Sequence, residues 1–247
     1  ENMREFINLP KELKPIVFIS HMEHHSNQTS WLETIADVEV IPANENGLFC
    51  LEEFKKVLEK YKDRSFKIAS ITSCSNVTGI RTPYHEVAKI MHQNNGVCFV
   101  DFACSGPYVN IDMHPVDKES YLDAIFFSPH KFLGGPGSSG VLIFNKNLYK
   151  NNIPDCPGGG TVEWTNPWGE HKYLDNIEDR EDGGTPGFLQ VIKTALAIQL
   201  KEKMGVDNIL KREHEIVNFV FSKLNKINDN KFKIKDDIAF MTISGFN

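Results

Sequence analysis

Short runs of apolar residues recur along this chain, separated by segments in which apolar positions return every three or four residues. The runs Pro15 to Ser20, Val38 to Pro42, Lys67 to Thr72, Val97 to Asp101, Ala124 to Phe127 and Gly140 to Phe144 are rich in Val, Ile and Phe and predict buried strands. Between them, Leu51, Phe54, Val57, Leu58 and Tyr61 share one face of a helix from Leu51 to Tyr61, and Val87, Ile90 and Met91 share a face of a helix from Tyr84 to Asn95 that Gly96 should stop. Strands alternating with helices predict an α/β fold, a mostly parallel central sheet with helices on both faces. Two long helical patterns, broken near Gly205, run from Gln190 to about Asn225, after which Lys231 to Lys235 and Ile238 to Ile243 return to strand. The expected organisation is therefore a large domain over 1–228 and, at 229–247, the start of a small C-terminal α+β domain.

Composition narrows the function classes. A chain of 247 residues, 40% hydrophobic, can bury a substantial core in one large domain. A formal charge of −6 with scattered lysines argues against nucleic acid or an anionic membrane surface and for a small-molecule ligand. No apolar stretch approaches the roughly 18 residues of a membrane span and the first residues carry no signal-peptide pattern, so a cytoplasmic protein is expected. Five cysteines without a CxxC pair predict neither a disulfide framework nor a zinc site. His21, Glu23, His24 and His25 lack HExxH spacing, and no metal site is expected from them. Gly135 to Gly140 has the GxGxxG spacing of a dinucleotide loop, but a strand rather than a helix follows, so it reads as a tight turn near Lys131.

The chemistry emerges when polar residues are placed on the strands. His24, Asn76, Asp101 and Lys131 each follow or close a predicted strand, which puts all four at the carboxyl edge of the sheet, where ligands of open parallel sheets bind. A lysine just past a buried strand, beside Ser128 and His130 and ahead of a glycine-rich turn, suits covalent capture of a pyridoxal 5'-phosphate aldehyde. Asp101 would then pair with the protonated ring nitrogen and Lys131 would form the Schiff base and serve as acid and base at the substrate Cα. His24 would stack on the ring, Asn76 would reach the ring hydroxyl, and Ser128 and His130 are candidates for the phosphate. Taken singly, Asp101 could equally be a turn cap, and Cys104 reads more as a small buried apolar residue than as a nucleophile.

The ordered motifs Glu23-His24-His25-Ser26-Asn27 with Trp31, Ser75-Asn76-Val77-Thr78-Gly79, Val100-Asp101-Phe102-Ala103, Ser128-Pro129-His130-Lys131, Gly158-Gly159-Gly160-Thr161 and Arg180 to Pro186 resemble the class V aminotransferase and cysteine desulfurase family of fold-type I pyridoxal phosphate enzymes. The resemblance implies His24 as the stacking residue, Asn76 and Asp101 as ring ligands and Lys131 as the Schiff-base lysine. It also implies that Thr185 reaches the phosphate of a partner subunit's cofactor, hence a homodimer with shared active sites. Cys104 stands where the desulfurase branch places a glutamine against the ring hydroxyl, and a thiol is a weaker donor. The family's Thr-rich phosphate turn is expected ahead of this chain, and its nucleophilic cysteine and carboxylate-binding arginine after Asn247, as in a segment of a longer enzyme. The resemblance implies an enzyme acting on an amino acid, by transamination or by desulfurase or selenocysteine lyase-type elimination; the alternative is a non-catalytic scaffold or binding protein that keeps the fold.

Overall fold

The computed structural model describes residues 9–227. The predicted strands at 231–235 and 238–243, and the small domain that they would open, lie outside the described residues. A sheet is built from β1 (Ile16–Ser20), β2 (Asp37–Ile41), β3 (Lys67–Thr72), β4 (Val97–Asp101), β5 (Ala124–Phe127) and β6 (Val141–Phe144). Its order is β2-β1-β3-β4-β5-β6, and every neighbouring pair is parallel except β5 with β6. The helices α1 (His25–Leu32), α2 (Leu51–Glu59) and α3 (Tyr84–Gln93) lie in the connections among β1 to β4, while β4 and β5 pair parallel through a longer irregular connection over 102–123. The antiparallel exception follows from the short glycine-rich connection after Lys131, which leaves no room for a crossover helix.

The strands divide their side chains between two apolar layers, as the two-residue repeat of extended backbone dictates. Ile16 and Phe18 of β1 enter the larger cluster, with Phe54, Val57 and Leu58 of α2 (Leu51–Glu59) and Val87, Ala88 and Met91 of α3 (Tyr84–Gln93). Val17 and Ile19 enter a second cluster against Ala36 and Trp31, the latter on α1 (His25–Leu32). Helices therefore cover both faces. At the centre of the larger layer Phe18 and Phe54 are fully buried and meet edge to face with ring centroids 5.9 Å apart. Burying a side chain of that size stabilises by about 2–3 kcal/mol.

One stop signal is corrected. The helix α3 closes through Asn95, which takes the left-handed conformation at φ 56°, while Gly96 forms the next step of the chain toward β4. An asparagine can fill that position because its short polar side chain tolerates the left-handed region. At 96 a Cβ would press on the terminal methyl of Met91 and crowd Lys67, so a larger residue there would have to displace the Met91 side chain.

Beyond β6 the chain forms an exposed hairpin of β7 (Val162–Thr165) and β8 (His171–Tyr173), a short helix α4 (Ile177–Glu181), and the long helices α5 (Phe188–Met204) and α6 (Val206–Ile227). Gly205, at φ 78°, breaks the two long helices where the sequence places the break. The α5 helix buries Thr194, Ala197 and Lys201 but leaves Phe188, Leu189, Val191, Ile192 and Leu196 exposed. Among the described residues no helix is long and apolar enough to cross a membrane.

Candidate active site

At the carboxyl ends of β1, β3, β4 and β5 lies a cavity of about 840 Å³. His24, Asn76, Asp101, Cys104, Ser128, His130 and Lys131 all line it, together with Trp31, Thr72 and Cys74. Loops leaving neighbouring parallel strands converge at this edge, so residues far apart in sequence become neighbours.

His24 is held by its own helix. It caps the N-terminus of α1, with Nδ1 accepting from the Ser26 backbone N–H at 3.3 Å and facing Ser26 Oγ at 2.7 Å. An acceptor role at Nδ1 leaves Nε2 as the protonated nitrogen of the neutral ring. Preceding it, Glu23 accepts from the backbone N–H groups of Ser20 and Thr72, from Ser20 Oγ, and from Asn27 Nδ2 at 2.7 Å. Burial pushes the Glu23 carboxyl above its ordinary value in spite of these donors, because removal from water penalises the anion more than the hydrogen bonds reward it. Asn27 extends the network: its Nδ2 also reaches the Ser70 carbonyl, and its Oδ1 accepts from Ser70 Oγ at 2.8 Å and from Trp31 Nε1 at 3.3 Å. Sequence reading weighed Glu23 only as a member of a histidine-rich cluster; the structure makes it the tie between β1, α1 and β3.

Asn76 sits on a turn after β3. Ser75 Oγ accepts the N–H groups of Val77 and Thr78, its carbonyl accepts the Gly79 N–H at 2.9 Å, and Gly79 takes φ 72°. The turn is thus closed by Ser75 and projects Asn76 toward the cavity it lines.

Asp101, the last residue of β4, is 7% exposed. Its Oδ1 accepts the Ala103 N–H at 2.7 Å, as a turn cap would, yet the carboxylate also lines the cavity. Burial raises its proton affinity, opposed by the Ala103 N–H and by the charges of Lys131 and His24. Cys104, which reads from the sequence more as a small buried apolar residue than as a nucleophile, is half-buried and lines the cavity, as does Cys74.

Lys131 ends a short 3₁₀ turn, Pro129–Lys131, that follows β5 directly. Its N–H bonds to the Ser128 carbonyl at 3.0 Å, and Pro129 supplies the fixed φ that starts the turn. Gly135 packs against this turn so closely that a Cβ would overlap the Pro129 carbonyl oxygen, which explains glycine there on steric grounds. Thr185 does not line the cavity; it is exposed just ahead of α5, on a turn in which Gly184 takes φ 85° and donates its N–H to the Gly159 carbonyl at 2.7 Å. The glycine run before β7 thus braces the turn that carries Thr185.

A family model described as aminotransferase class-V matches residues 7–244. The chain is 30% identical over 219 residues to a probable cysteine desulfurase of Halalkalibacterium halodurans, covering 85% of this chain and 50% of that protein. It is 29% identical over 217 residues to a cysteine desulfurase of Escherichia coli, covering 86% of this chain and 51% of that protein. Among solved structures, it is similar to the apo cysteine desulfurase from Thermococcus onnurineus NA1, with a TM-score of 0.73, 24% identity and coverage of 92% of this chain and 54% of that chain. An Escherichia coli cysteine desulfurase bearing an S-sulfonic acid aligns with a TM-score of 0.75 at 22% identity, over 91% of this chain and 54% of that chain. These structural likenesses speak for the fold alone. The chain spans about half the length of the curated relatives that it matches.

Proposed function

The chain belongs to the aminotransferase class-V family, and from that premise we propose that its cavity holds pyridoxal 5'-phosphate and serves an enzyme acting on an amino acid. Cleavage of the Cβ–S bond of cysteine is the reaction favoured by the names of the relatives above. The observation that carries the reading is the convergence of Asp101, His24 and Lys131 on one cavity at the sheet edge.

The donor set fits the group. Asp101 is a buried carboxylate whose proton affinity is raised because burial outweighs the charges around it. A cationic pyridine nitrogen is the kind of partner that would restore its ionised form. Asn76 carries an amide for the ring hydroxyl, His24 a flat ring for the ring face, and Ser128 and His130 donors for a phosphate. When bound, the cofactor supplies a carbonyl that captures amines and an electron-poor ring that accepts electrons from the substrate Cα.

The protein's own contributions follow from these placements. Asp101 holds positive charge on the ring side of the cavity, Lys131 takes and returns the proton at the substrate Cα, and His24, fixed by Ser26, keeps one wall flat. Cys104, a weak donor, leaves Asn76 as the stronger contact for the ring hydroxyl. Two chains sharing their sites completes the reading: Thr185 lies outside its own cavity lining and beside the exposed apolar face of α5. The domain division at residue 228 belongs to the same proposal.

The test is covalent labelling of the full-length enzyme. Pyridoxal phosphate followed by borohydride should fix one label on Lys131, and Lys131→Ala should lose it; label spread over surface lysines, or retained in Lys131→Ala, would overturn the assignment. With cysteine as substrate, alanine should accumulate, whereas a 2-oxo acid would mark transamination.

A further inference from the structure

Two thiols stand in the cavity wall, and the chemistry above asks of them no more than a weak contact from Cys104. Cys74 follows β3, Cys104 follows β4, and both line the cavity. Both are reduced, and their sulfurs approach the same acceptor, the Ser75 carbonyl, at 3.7 and 3.8 Å. Their side chains also hydrogen-bond to each other. Cys74 is 2% exposed, whereas Cys104 is half-buried, and both line the cavity. A dithiol with one accessible sulfur and one protected sulfur against it has the arrangement of an attacked thiol with its resolving partner.

We propose that Cys74 and Cys104 form a peroxide-oxidisable pair whose conversion to a disulfide shuts the adjacent cofactor site. The regulatory half rests on the reading of that cavity as a pyridoxal phosphate site. Its hydrogen-bond contact with Cys104 and its burial hold the Cys74 thiol well above an ordinary thiol, so Cys74 keeps its proton. Hydrogen peroxide is the oxidant. As its thiol proton departs, the Cys104 sulfur attacks one peroxide oxygen, the O–O bond breaks, the leaving hydroxide takes up that proton as water, and Cys104 becomes a sulfenic acid. The Cys74 sulfur then attacks the Cys104 sulfur, the S–O bond breaks, and the Cys74 proton leaves with the hydroxyl as water. In sum, two thiols and one peroxide give one disulfide and two waters.

The consequence for the site comes from Ser75. Its carbonyl is the shared acceptor of both thiols and also of the Gly79 N–H that closes the Asn76 turn. A disulfide has no S–H, so both sulfur donors vanish while the new bond ties the Asn76 turn to the Asp101–Ala103 turn. Asn76 and Asp101 then move together, and the cavity loses the spacing at which they sit.

The experiment treats the full-length enzyme with stoichiometric hydrogen peroxide, alkylates remaining thiols, and maps peptides without reduction. A peptide joining Cys74 to Cys104, lighter by two hydrogens and released by dithiothreitol, is expected. It should persist in Cys156→Ser and be absent from both Cys74→Ser and Cys104→Ser. Pyridoxal phosphate should bind at least about tenfold more weakly after oxidation and recover on reduction. Both thiols fully alkylated after peroxide, or a cross-linked chain that binds the cofactor as tightly as the reduced one, would overturn the proposal. Failure of the reduced chain to bind pyridoxal phosphate would instead overturn the reading of the site, leaving the cross-link to be judged by mass alone.

Discussion

Glu23 accepts the backbone N–H of Thr72 at 2.8 Å, so the segment that presents His24 is tied to the end of the neighbouring strand. The same carboxylate takes Asn27 Nδ2 and both donors of Ser20. Glu23→Ala would leave the buried Thr72 N–H without its acceptor and the Asn27 amide with only the Ser70 carbonyl, at about 1–3 kcal/mol for each unsatisfied group. We expect urea unfolding to show a loss of about 2–4 kcal/mol. Glu23→Gln, which keeps an acceptor oxygen, should recover part of it. A Glu23→Ala midpoint equal to that of the parent would show that the network carries no stability.

Asp101→Asn separates charge from shape. Asparagine still accepts the Ala103 N–H but cannot hold a proton-bearing ring nitrogen as an ion pair. By the scale of other preorganised electrostatic groups, turnover should fall by about 10²–10³-fold. Cofactor affinity should change far less. A variant with parental kcat would reduce Asp101 to a turn cap.

Gly135→Ala tests how Lys131 is positioned. The added methyl would overlap the Pro129 carbonyl oxygen, so the 3₁₀ turn must shift. The borohydride label on Lys131 should be lost or strongly reduced while far-UV circular dichroism stays that of the folded chain. Gly140→Ala, whose added methyl meets nothing within 4 Å, should leave the 3₁₀ turn in place.

A remote pair sets a pH dependence. His92 faces Asp123 through Nε2 at 2.8 Å and the Glu119 carbonyl through Nδ1 at 2.6 Å, with its ring stacked on Tyr121. Burial disfavours its charge, but the Asp123 and Glu119 acceptors outweigh burial and raise its pKa above 6.5. A histidine raised on folding contributes stability that is complete below its unfolded pKa and is lost as pH rises through the folded one. Stability from denaturant titration should therefore fall from about pH 6.5 upward, and His92→Gln should flatten that slope. A parental profile that rises over the same interval would refute the assignment.

What could be read from the chain follows from what each element buries. Lys67 to Thr72, Val97 to Asp101 and Ala124 to Phe127 are strands at the bounds the apolar runs give, because a parallel strand covered on both faces leaves an uninterrupted run. The helix α1 left no such trace: its buried residue is Asn27, held by hydrogen bonds rather than by an apolar stripe. The β7–β8 hairpin is largely exposed, so nothing forces alternation on it. Most of the candidate site was legible because its polar residues end strands. The Glu23–Asn27–Ser70 network was not, since it exists only once three separate segments close in space.

The exposed face of α5 and the position of Thr185 lead to the last expectation. Phe188, Leu189, Val191, Ile192 and Leu196 are each more than half exposed, a cluster of apolar side chains that a second copy of the chain would cover. Thr185 precedes that face on a turn braced by Gly159, and it does not line its own cavity. If each chain lends Thr185 to the other's site, a Lys131→Ala chain and a Thr185→Ala chain are each inactive or impaired alone, yet their hybrid contains one site with both residues intact. Equal mixing under exchange conditions should restore about a quarter of parental activity, because half the dimers are hybrid and each hybrid has one working site of two. If Thr185 served its own chain, every site in the mixture would carry a lesion. Mixing would then restore nothing, and that result, or a monomer by ultracentrifugation that binds the cofactor tightly, would refute the shared site.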